Sequence, residues 1–178
     1  MTSEIPEPTD VFGYFGFWQR QIDPVIANYL RAEKNGVYAN TEYGTEVINA
    51  ITDLTLRGGK RQRVAFVAAT FGLLDGEFDD KTVKAILDAA AAVEILQTQL
   101  LIHDDVIDQA PTRRKGITIH EKFYQQAIEK AYRFDSRRYG DSVGLLAGDL
   151  TAYFACYPVI ESENIPAGEV GALYPLIQ

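Results

Sequence analysis

Apolar residues recur at three- and four-residue steps along most of the chain, which is the spacing that one face of an α-helix produces. The clearest series occupies residues 83–101 and predicts a long helix that Asp79 or Asp80 can cap. This helix should contain Asp104-Asp105 and must end before Pro111, because a proline restricts the backbone of the residue before it. The pattern therefore predicts one long, largely buried helix in the middle of the chain.

Weaker series of the same kind predict further helices. They are expected over Glu42 to Leu56, about Arg61 to Leu74, Ile119 to Phe134, Asp141 to Tyr157, and from near Ala167 onward. The alternation of apolar and polar residues with turn pairs that indicates strands is absent from the sequence. The pattern predicts an all-α fold in which residues 1–178 form a single domain and residues 1–10 are a loose leader.

The region before the second predicted helix is more ambiguous. Pro24 can open a helix that Asn35-Gly36 would close. An aromatic run, Phe12 to Trp18, precedes it with a spacing that suits a helical packing surface, but Gly13 and Gly16 weaken a helix there. The run is therefore expected to form either a helix or a loop that folds over the core.

Composition and charge narrow the function classes. A hydrophobic fraction of 47% and a charged fraction of 24% are typical of a folded globular protein. The net charge of −8 disfavours nucleic-acid binding, which requires a basic surface. An acidic balance suits a metal site, although a solvated acidic surface is the commoner cause. The lone cysteine, Cys156, cannot form an intramolecular disulfide and is expected to be a small core residue.

The sequence contains neither a targeting signal nor a transmembrane pattern. The first ten residues are acidic and contain proline, unlike a signal or transit peptide. The longest apolar stretch, Ala85 to Ile102, is interrupted by polar residues such as Asp88 and Glu94, which is typical of a buried helix and not of a membrane span. A cytoplasmic location is the resulting expectation.

An acidic cluster lies at the C-terminal end of the long predicted helix, where Asp104, Asp105 and Asp108 fall within five residues. On a helix Asp104 and Asp108 share one face, with their Cβ atoms roughly 5–6 Å apart. The carboxylates repel one another, and the helix dipole adds further negative charge there. Mg²⁺ prefers oxygen ligands and bridges carboxylates to phosphates, so it can compensate. A solvated helix end, or pairing with nearby arginines, remains the alternative.

Two basic clusters accompany the acidic one. Arg113-Arg114-Lys115 follows Pro111 on an expected loop, and residues 58–63, Gly-Gly-Lys-Arg-Gln-Arg, place three cations at the start of a predicted helix. Arginine matches phosphate oxygens with its planar fork, and the free N–H groups of a helix N-terminus favour an anion. Each cluster alone is usually a solvated surface. Together they suit a site where carboxylates hold a metal on one diphosphate and cations hold the remaining oxygens.

These residues resemble the polyprenyl synthetase family of trans-isoprenyl diphosphate synthases. Residues 100–114, Leu-Leu-Ile-His-Asp-Asp-Val-Ile-Asp-Gln-Ala-Pro-Thr-Arg-Arg, are similar to its first aspartate-rich motif with the paired arginines, and residues 58–63 resemble its Gly-Gly-Lys-Arg-x-Arg element. Gln97 lies where family members carry a histidine or glutamine, and Gly148-Asp149 resembles a further signature. The resemblance covers roughly residues 40 to 160 and implies the helical bundle of isoprenoid synthases.

The resemblance implies a Mg²⁺-dependent prenyltransferase that joins isopentenyl diphosphate to an allylic diphosphate (dimethylallyl, geranyl or farnesyl diphosphate) in head-to-tail elongation. It implies catalytic roles for Asp104, Asp105 and Asp108, of which Asp104 and Asp108 would ligate Mg²⁺. It implies that Arg113 contacts the allylic diphosphate and that the full-length form is a homodimer. The residues implied to bind isopentenyl diphosphate are Lys60, Arg63, Gln97 and Arg114.

The sequence also departs from the family pattern. Family members are about twice as long and carry a second aspartate-rich motif on a later helix, whereas no such motif follows Asp149 here. The chain is therefore expected to represent the N-terminal half of such an enzyme. Immediately before the acidic motif, Gln99 and Leu100 are not aromatic, which implies a product of twenty carbons or more.

Two other functions stay open. A noncatalytic or regulatory subunit could retain one diphosphate site and modulate a full-length partner, although a pure scaffold has no need of the intact carboxylates and arginines. A terpene cyclase also carries an aspartate-rich motif, but it should lack the Gly58–Arg63 element because it binds no isopentenyl diphosphate.

Overall fold

The computed structural model describes residues 5–7, 9–33, 40–74 and 77–166. Within these ranges the chain forms helices and one short hairpin. They are α1 (Val11–Glu33), α2 (Glu42–Leu56), α3 (Gln62–Leu73), α4 (Asp80–Ile107), β1 (Thr112–Arg113), β2 (Gly116–Ile117), α5 (Ile119–Glu129), α6 (Ser136–Phe154) and α7 (Tyr157–Ile160). The predicted all-α class is confirmed, and the hairpin is an addition that the sequence pattern did not predict.

The described residues fall into two compact units. The first comprises the described parts of residues 1–29, 60–94 and 155–178, and the second those of residues 30–59 and 95–154. Both units bury apolar side chains of their own. The single domain over residues 1–178 stays a prediction.

The aromatic run near the N-terminus is helical, which settles the choice between helix and loop. The helix α1 begins at Val11 because the carboxylate of Asp10 accepts a hydrogen bond from the backbone N–H of Gly13 at 3.0 Å. Trp18 is fully buried and contacts two other aromatic rings edge to face. Burial of such side chains outweighs the cost of about 1 kcal/mol for each helical glycine, here Gly13 and Gly16.

Pro24 lies inside α1, so the expectation that it opens a helix was wrong. Ile22 and Ile26, on either side of it, are completely buried, and this apolar stripe favours one continuous helix. Pro24 and Arg20 are both exposed, so water can solvate the Arg20 carbonyl that the proline deprives of its helical hydrogen bond. The expected helix end at Asn35-Gly36 lies outside the described residues.

Two of the predicted helices are confirmed by the structure. The helix predicted over Glu42 to Leu56 is α2, and the one predicted across residues 83–101 is α4. Asp79 caps α4, because its carboxylate accepts a hydrogen bond from the backbone N–H of Thr82 at 2.7 Å. The same backbone hydrogen bond lowers the pKa of Asp79. From this cap α4 continues past the acidic motif to Ile107.

Two segments, Asp80–Ile107 and Ser136–Ile160, are long and apolar enough to cross a membrane by length and composition alone. In their most apolar windows, 56% and 50% of the residues are buried inside the protein. Core helices of water-soluble proteins pass the same test. The burial supports the interpretation of Ala85 to Ile102 as part of a core helix.

The helix predicted over Ile119 to Phe134 is shorter than expected. It ends at Glu129, because Ala131 adopts a left-handed conformation with φ of 49° and cannot continue the helix. The last predicted helix, from Ala167, lies outside the described residues.

The helix predicted from Asp141 begins earlier, at Ser136. Asp135 caps it, since the backbone N–H of Arg138 donates a hydrogen bond to the Asp135 carboxylate at 3.0 Å. The helix ends at Phe154, three residues before the expected end, and the short helix α7 follows.

In the second unit, three glycines at four-residue steps give α6 a small-residue face. A Cβ atom at Gly144 would lie 2.6 Å from Val106 Cγ2 and 2.9 Å from His120 Cβ. At Gly148 it would collide with the ring of His103, and at Gly140 with the backbone carbonyl of His120. This face therefore allows α6 to approach α4 and α5 more closely than any side chain would permit.

Gly144→Ala is expected to destabilise the protein by about 1–3 kcal/mol, because the added methyl group overpacks the contact with Val106 and His120. Gly72→Ala is the matched control: it also lies in a helix, but its added Cβ would meet Phe78 at an ordinary 3.4 Å. That variant should gain roughly 0.5–1 kcal/mol from helix propensity. Urea unfolding followed by circular dichroism measures both, and equal stability of the two variants would contradict this packing.

Candidate metal and diphosphate site

The acidic cluster occupies the last turns of α4, in the second unit. Asp104 and Asp108 are exposed, whereas Asp105 points inward and is 1% exposed. The helix is intact between them, since the Asp108 backbone N–H donates to the Asp104 carbonyl at 2.8 Å. Two carboxylates thus face solvent from one side of the helix, as the four-residue spacing predicted.

Arg113 joins the exposed and the buried carboxylate. Its Nη2 donates to Asp104 Oδ2 at 2.8 Å, and its Nε donates to Asp105 Oδ1. Burial raises the pKa of Asp105, while the hydrogen bond from Arg113 acts in the opposite direction. Burial opposes the charged form of Arg113 as well, but the hydrogen bonds and negative charges of Asp105 and Asp104 together outweigh it and raise the pKa of Arg113. The arginine supplies the compensating charge that the sequence required.

Beneath this ion pair lie buried polar atoms. Asp105 Oδ2 and both ring nitrogens of His120 have no hydrogen-bond partner within the part of the chain that the structure describes. Burial lowers the pKa of His120, which favours a neutral imidazole there. Asp105 is thus held among buried polar atoms and does not face solvent.

Arg113 and Arg114 lie on the hairpin formed by β1 and β2. Arg113 pairs with Gly116, so that Arg114 and Lys115 are the two turn residues, with φ of 52° and 63°. Arg114 extends away from the carboxylates: its Nη1 lies 3.4 Å from the Leu54 carbonyl. A Cβ on Gly59 would come within 3.2 Å of the Arg114 guanidinium. The second glycine of the basic motif therefore leaves room for this arginine.

The cations of the Gly58–Arg63 element differ in their environment. Lys60 and Arg63 are exposed, but Arg61 is only 3% exposed. In the first unit, Arg61 donates to Asp23 Oδ1 at 2.8 Å and to Glu94 Oε2 at 3.1 Å. Arg61, for which the sequence implied no substrate contact, forms a buried ion pair. Lys60 and Arg63 remain available at the start of α3.

Gln97 is half-buried on α4, seven residues before Asp104, which corresponds to two helical turns and about 10 Å along the helix axis. The structure therefore brings together Asp104, Asp105 and Arg113, with Gln97 on the same helix and Asp108 directly after the last residue of that helix. Lys60 and Arg63 belong to the first unit.

The exposed carboxylates are chemically suited to Mg²⁺. Over the described residues, no group of three or more His, Cys, Asp and Glu side chains could hold a metal ion. Mg²⁺ does not need such a group, because it retains several waters and is commonly bound by one or two carboxylates together with substrate phosphates. Asp104 and Asp108 fit that role, whereas Asp105 is buried against Arg113.

His103 also contributes to the site, although no sequence pattern singled it out. Its Nε2 lies 3.1 Å from the Leu145 carbonyl and 3.5 Å from Asp149, and its Nδ1 contacts Gln99. Gly148 leaves space for its ring. The Gly148-Asp149 signature thus has a packing role: it connects α6 to the residue that precedes the acidic cluster.

The polyprenyl synthetase family model matches residues 45–158, which include both the acidic cluster and the hairpin. The chain belongs to the polyprenyl synthetase family. The same fold occurs in a crystal structure of geranylgeranyl pyrophosphate synthase from Corynebacterium glutamicum complexed with isoprenyl diphosphate and magnesium. The TM-score is 0.75 and the sequence identity is 25%. The match covers 89% of this chain and 44% of that one.

Curated relatives agree with this membership. Farnesyl diphosphate synthase of Haemophilus influenzae is 29% identical over 168 residues, which cover 93% of this chain and 48% of the relative. Heptaprenyl diphosphate synthase component 2 of Bacillus subtilis is 42% identical over 109 residues, which cover 61% of this chain and 28% of the relative. The chain thus spans about half the length, or less, of these polyprenyl synthetase relatives.

Arg61→Ala is expected to destabilise the protein by about 3–5 kcal/mol, because it leaves the Glu94 carboxylate, only 3% exposed, without this charge partner. Arg63→Ala, at an exposed position two residues later, should change stability by no more than about 0.5 kcal/mol. Chemical unfolding monitored by circular dichroism compares them. Similar midpoints for the two variants would mean that the Arg61 ion pair does not stabilise the fold.

Proposed function

We propose that this chain contributes the first aspartate-rich site of a prenyltransferase that condenses isopentenyl diphosphate with an allylic diphosphate in head-to-tail elongation. The observation that carries this proposal is the pair of exposed carboxylates, Asp104 and Asp108, with Arg113 at 2.8 Å from the first of them. Carboxylates for a metal and an arginine for phosphate oxygens are the two components that diphosphate binding requires. Family membership supports the same chemistry.

Asp104 and Asp108 would hold Mg²⁺ on the allylic diphosphate, and Mg²⁺ would neutralise the charge that develops on the departing pyrophosphate. Arg113 keeps one edge of its guanidinium on the buried Asp105 while the other reaches the exposed Asp104. The second edge can turn to a diphosphate oxygen without uncovering Asp105. Cleavage of the allylic C–O bond, attack by the double bond of isopentenyl diphosphate and loss of a proton then yield the longer allylic diphosphate.

Isopentenyl diphosphate would bind to Lys60, Arg63, Gln97 and Arg114. Lys60 and Arg63 are exposed beside the first turn of α3, where backbone N–H groups attract an anion. Gln97 offers amide hydrogen bonds to a diphosphate oxygen. The presence of this second cationic set distinguishes the proposal from a terpene cyclase, which binds a single diphosphate.

Exposed apolar side chains on α4 and α6 are suited to the wall of a water-poor substrate cavity. Leu100 on α4 is 54% exposed, and Leu146 and Tyr153 on α6 are 67% and 51% exposed. Water would capture the allylic cation, so walls of this kind are needed around the prenyl chain. Leu100, in place of an aromatic residue, leaves room for a product of twenty carbons or more.

A noncatalytic or regulatory subunit that retains one diphosphate site is the second candidate. The observation that favours it is the name of one relative, heptaprenyl diphosphate synthase component 2 of Bacillus subtilis, which describes that protein as one component of an enzyme. A cytoplasmic location and a homodimeric full-length form belong to the same proposal as the leading function.

The function is tested by incubating the purified chain with labelled isopentenyl diphosphate, an allylic primer and Mg²⁺, and resolving products by length. A Mg²⁺-dependent product is expected if these residues suffice for catalysis. Retained diphosphate binding without a product would mean that these residues form half of a site and need the rest of an enzyme or a partner for catalysis. Absence of both product and binding would contradict both candidates.

Asp104→Asn is expected to weaken binding of pyrophosphate in the presence of Mg²⁺ by at least roughly tenfold, or about 1.4 kcal/mol, because one metal ligand loses its charge. Isothermal titration calorimetry measures the affinity, and circular dichroism should show unchanged helicity. Asp80→Asn, an exposed aspartate in the first turn of the same helix, is the control. Unchanged affinity in the Asp104 variant would remove Asp104 from the metal site.

A further inference from the structure

The hairpin that carries Arg113 and Arg114 is too small to be stable by itself. Each strand has two residues, and isolated two-stranded hairpins are marginal in water. Its turn places two non-glycine residues, Arg114 and Lys115, at φ of 52° and 63°. Turns of this type favour Asn-Gly, and a left-handed conformation costs a residue with a side chain roughly 1–2 kcal/mol. Other contacts must therefore hold the hairpin in place.

Thr118 supports only the base of the hairpin. Its Oγ1 donates to the Ala110 carbonyl at 2.8 Å, and its backbone N–H donates to the Pro111 carbonyl at 3.1 Å. These hydrogen bonds join the two ends of the segment that connects α4 to α5. They do not reach the paired strands or the turn.

Arg57, at the end of α2, contacts both strands. Its Nη1 donates to the Ile117 carbonyl at 2.8 Å and to the Arg113 carbonyl at 3.3 Å. The guanidinium packs against Gly116, where a Cβ atom would collide with it. One planar group thus fixes β1 and β2 relative to each other and to α2.

Asp53 orients Arg57 from the preceding helical turn. The Arg57 Nε donates to Asp53 Oδ2 at 2.9 Å, and Nη2 contacts the same oxygen. The Asp53 side chain is 60% exposed, and an exposed pair at this spacing contributes only about 0.3–0.5 kcal/mol. The Arg57 side chain is 16% exposed, so its bonds to the hairpin carbonyls are the better protected ones.

We propose that Arg57 is a positioning residue for diphosphate binding: it fixes the carbonyl of Arg113 and thereby the direction of the Arg113 side chain toward Asp104 and Asp105. Its guanidinium is occupied by protein groups, so it acts through the hairpin and does not touch the substrate. This inference rests on the proposed role of Arg113 as a diphosphate ligand.

The test compares Arg57→Met, which removes all five donors, with Arg57→Lys, which keeps the charge but lacks the planar fork. Hydrogen exchange of the peptide that contains residues 109–118 reports on the hairpin, and calorimetry reports the affinity for pyrophosphate with Mg²⁺. Arg57→Met should speed exchange and weaken binding by about tenfold each, the loss expected for hydrogen bonds from a charged donor. Arg57→Lys should restore part of both. Arg133→Met, at an exposed arginine of the same unit, should change neither.

Affinity is measured well below the unfolding transition, so a loss of global stability alone does not change it. Faster exchange with unchanged affinity in Arg57→Met would overturn the proposal, and so would unchanged exchange. Failure of the unmodified chain to bind pyrophosphate would count against the proposed function instead. In that case the exchange rates would still decide whether Arg57 holds the hairpin.

Discussion

The concentration of negative charge at the C-terminal end of α4 is the constraint on which the site depends. Three carboxylates lie in the last turns of a long helix, where the dipole is also negative, and one of them, Asp105, is almost completely buried. A buried carboxylate without a positive partner would cost several kcal/mol. The chain therefore turns back immediately after the helix and brings Arg113 to that carboxylate.

The position of Arg113 depends in turn on parts of the second unit that are distant in sequence. α2 supplies Arg57, which bonds to the hairpin strands, and the loop after α2 supplies Gly59, which leaves space for Arg114. α6 lies close to Val106 at Gly144, beside the buried Asp105. The contact of Arg113 with the buried Asp105 is strong, whereas its contact with the exposed Asp104 contributes at most about 1 kcal/mol. A bound diphosphate can therefore replace the exposed contact at low cost while the buried one keeps the arginine in place.

The sequence predicted those features that depend on local periodicity and spacing. α2 and α4, the Asp79 cap and the common face of Asp104 and Asp108 follow from side-chain patterns within one helix. The hairpin was missed because its turn uses Arg114-Lys115, which lacks the glycine or asparagine that normally marks such a turn. The burial of Arg61 and the contacts of Arg57 with the hairpin depend on residues more than thirty positions away, and no local pattern encodes them.

The distribution of exposed groups indicates what the described residues provide for the proposed chemistry. Asp104 and Asp108 face solvent, and the apolar side chain of Leu100, one helical turn before Asp104, faces solvent as well. Diphosphate capture needs only the exposed carboxylates, since charged groups bind phosphate in the presence of water. Ionisation of an allylic diphosphate also requires that the apolar surface be covered, because an exposed apolar wall cannot exclude water from the cation. Under the proposed function, binding and catalysis would therefore be separable: the acidic cluster and the hairpin would account for the first, and coverage of the apolar surface would be the further condition for the second.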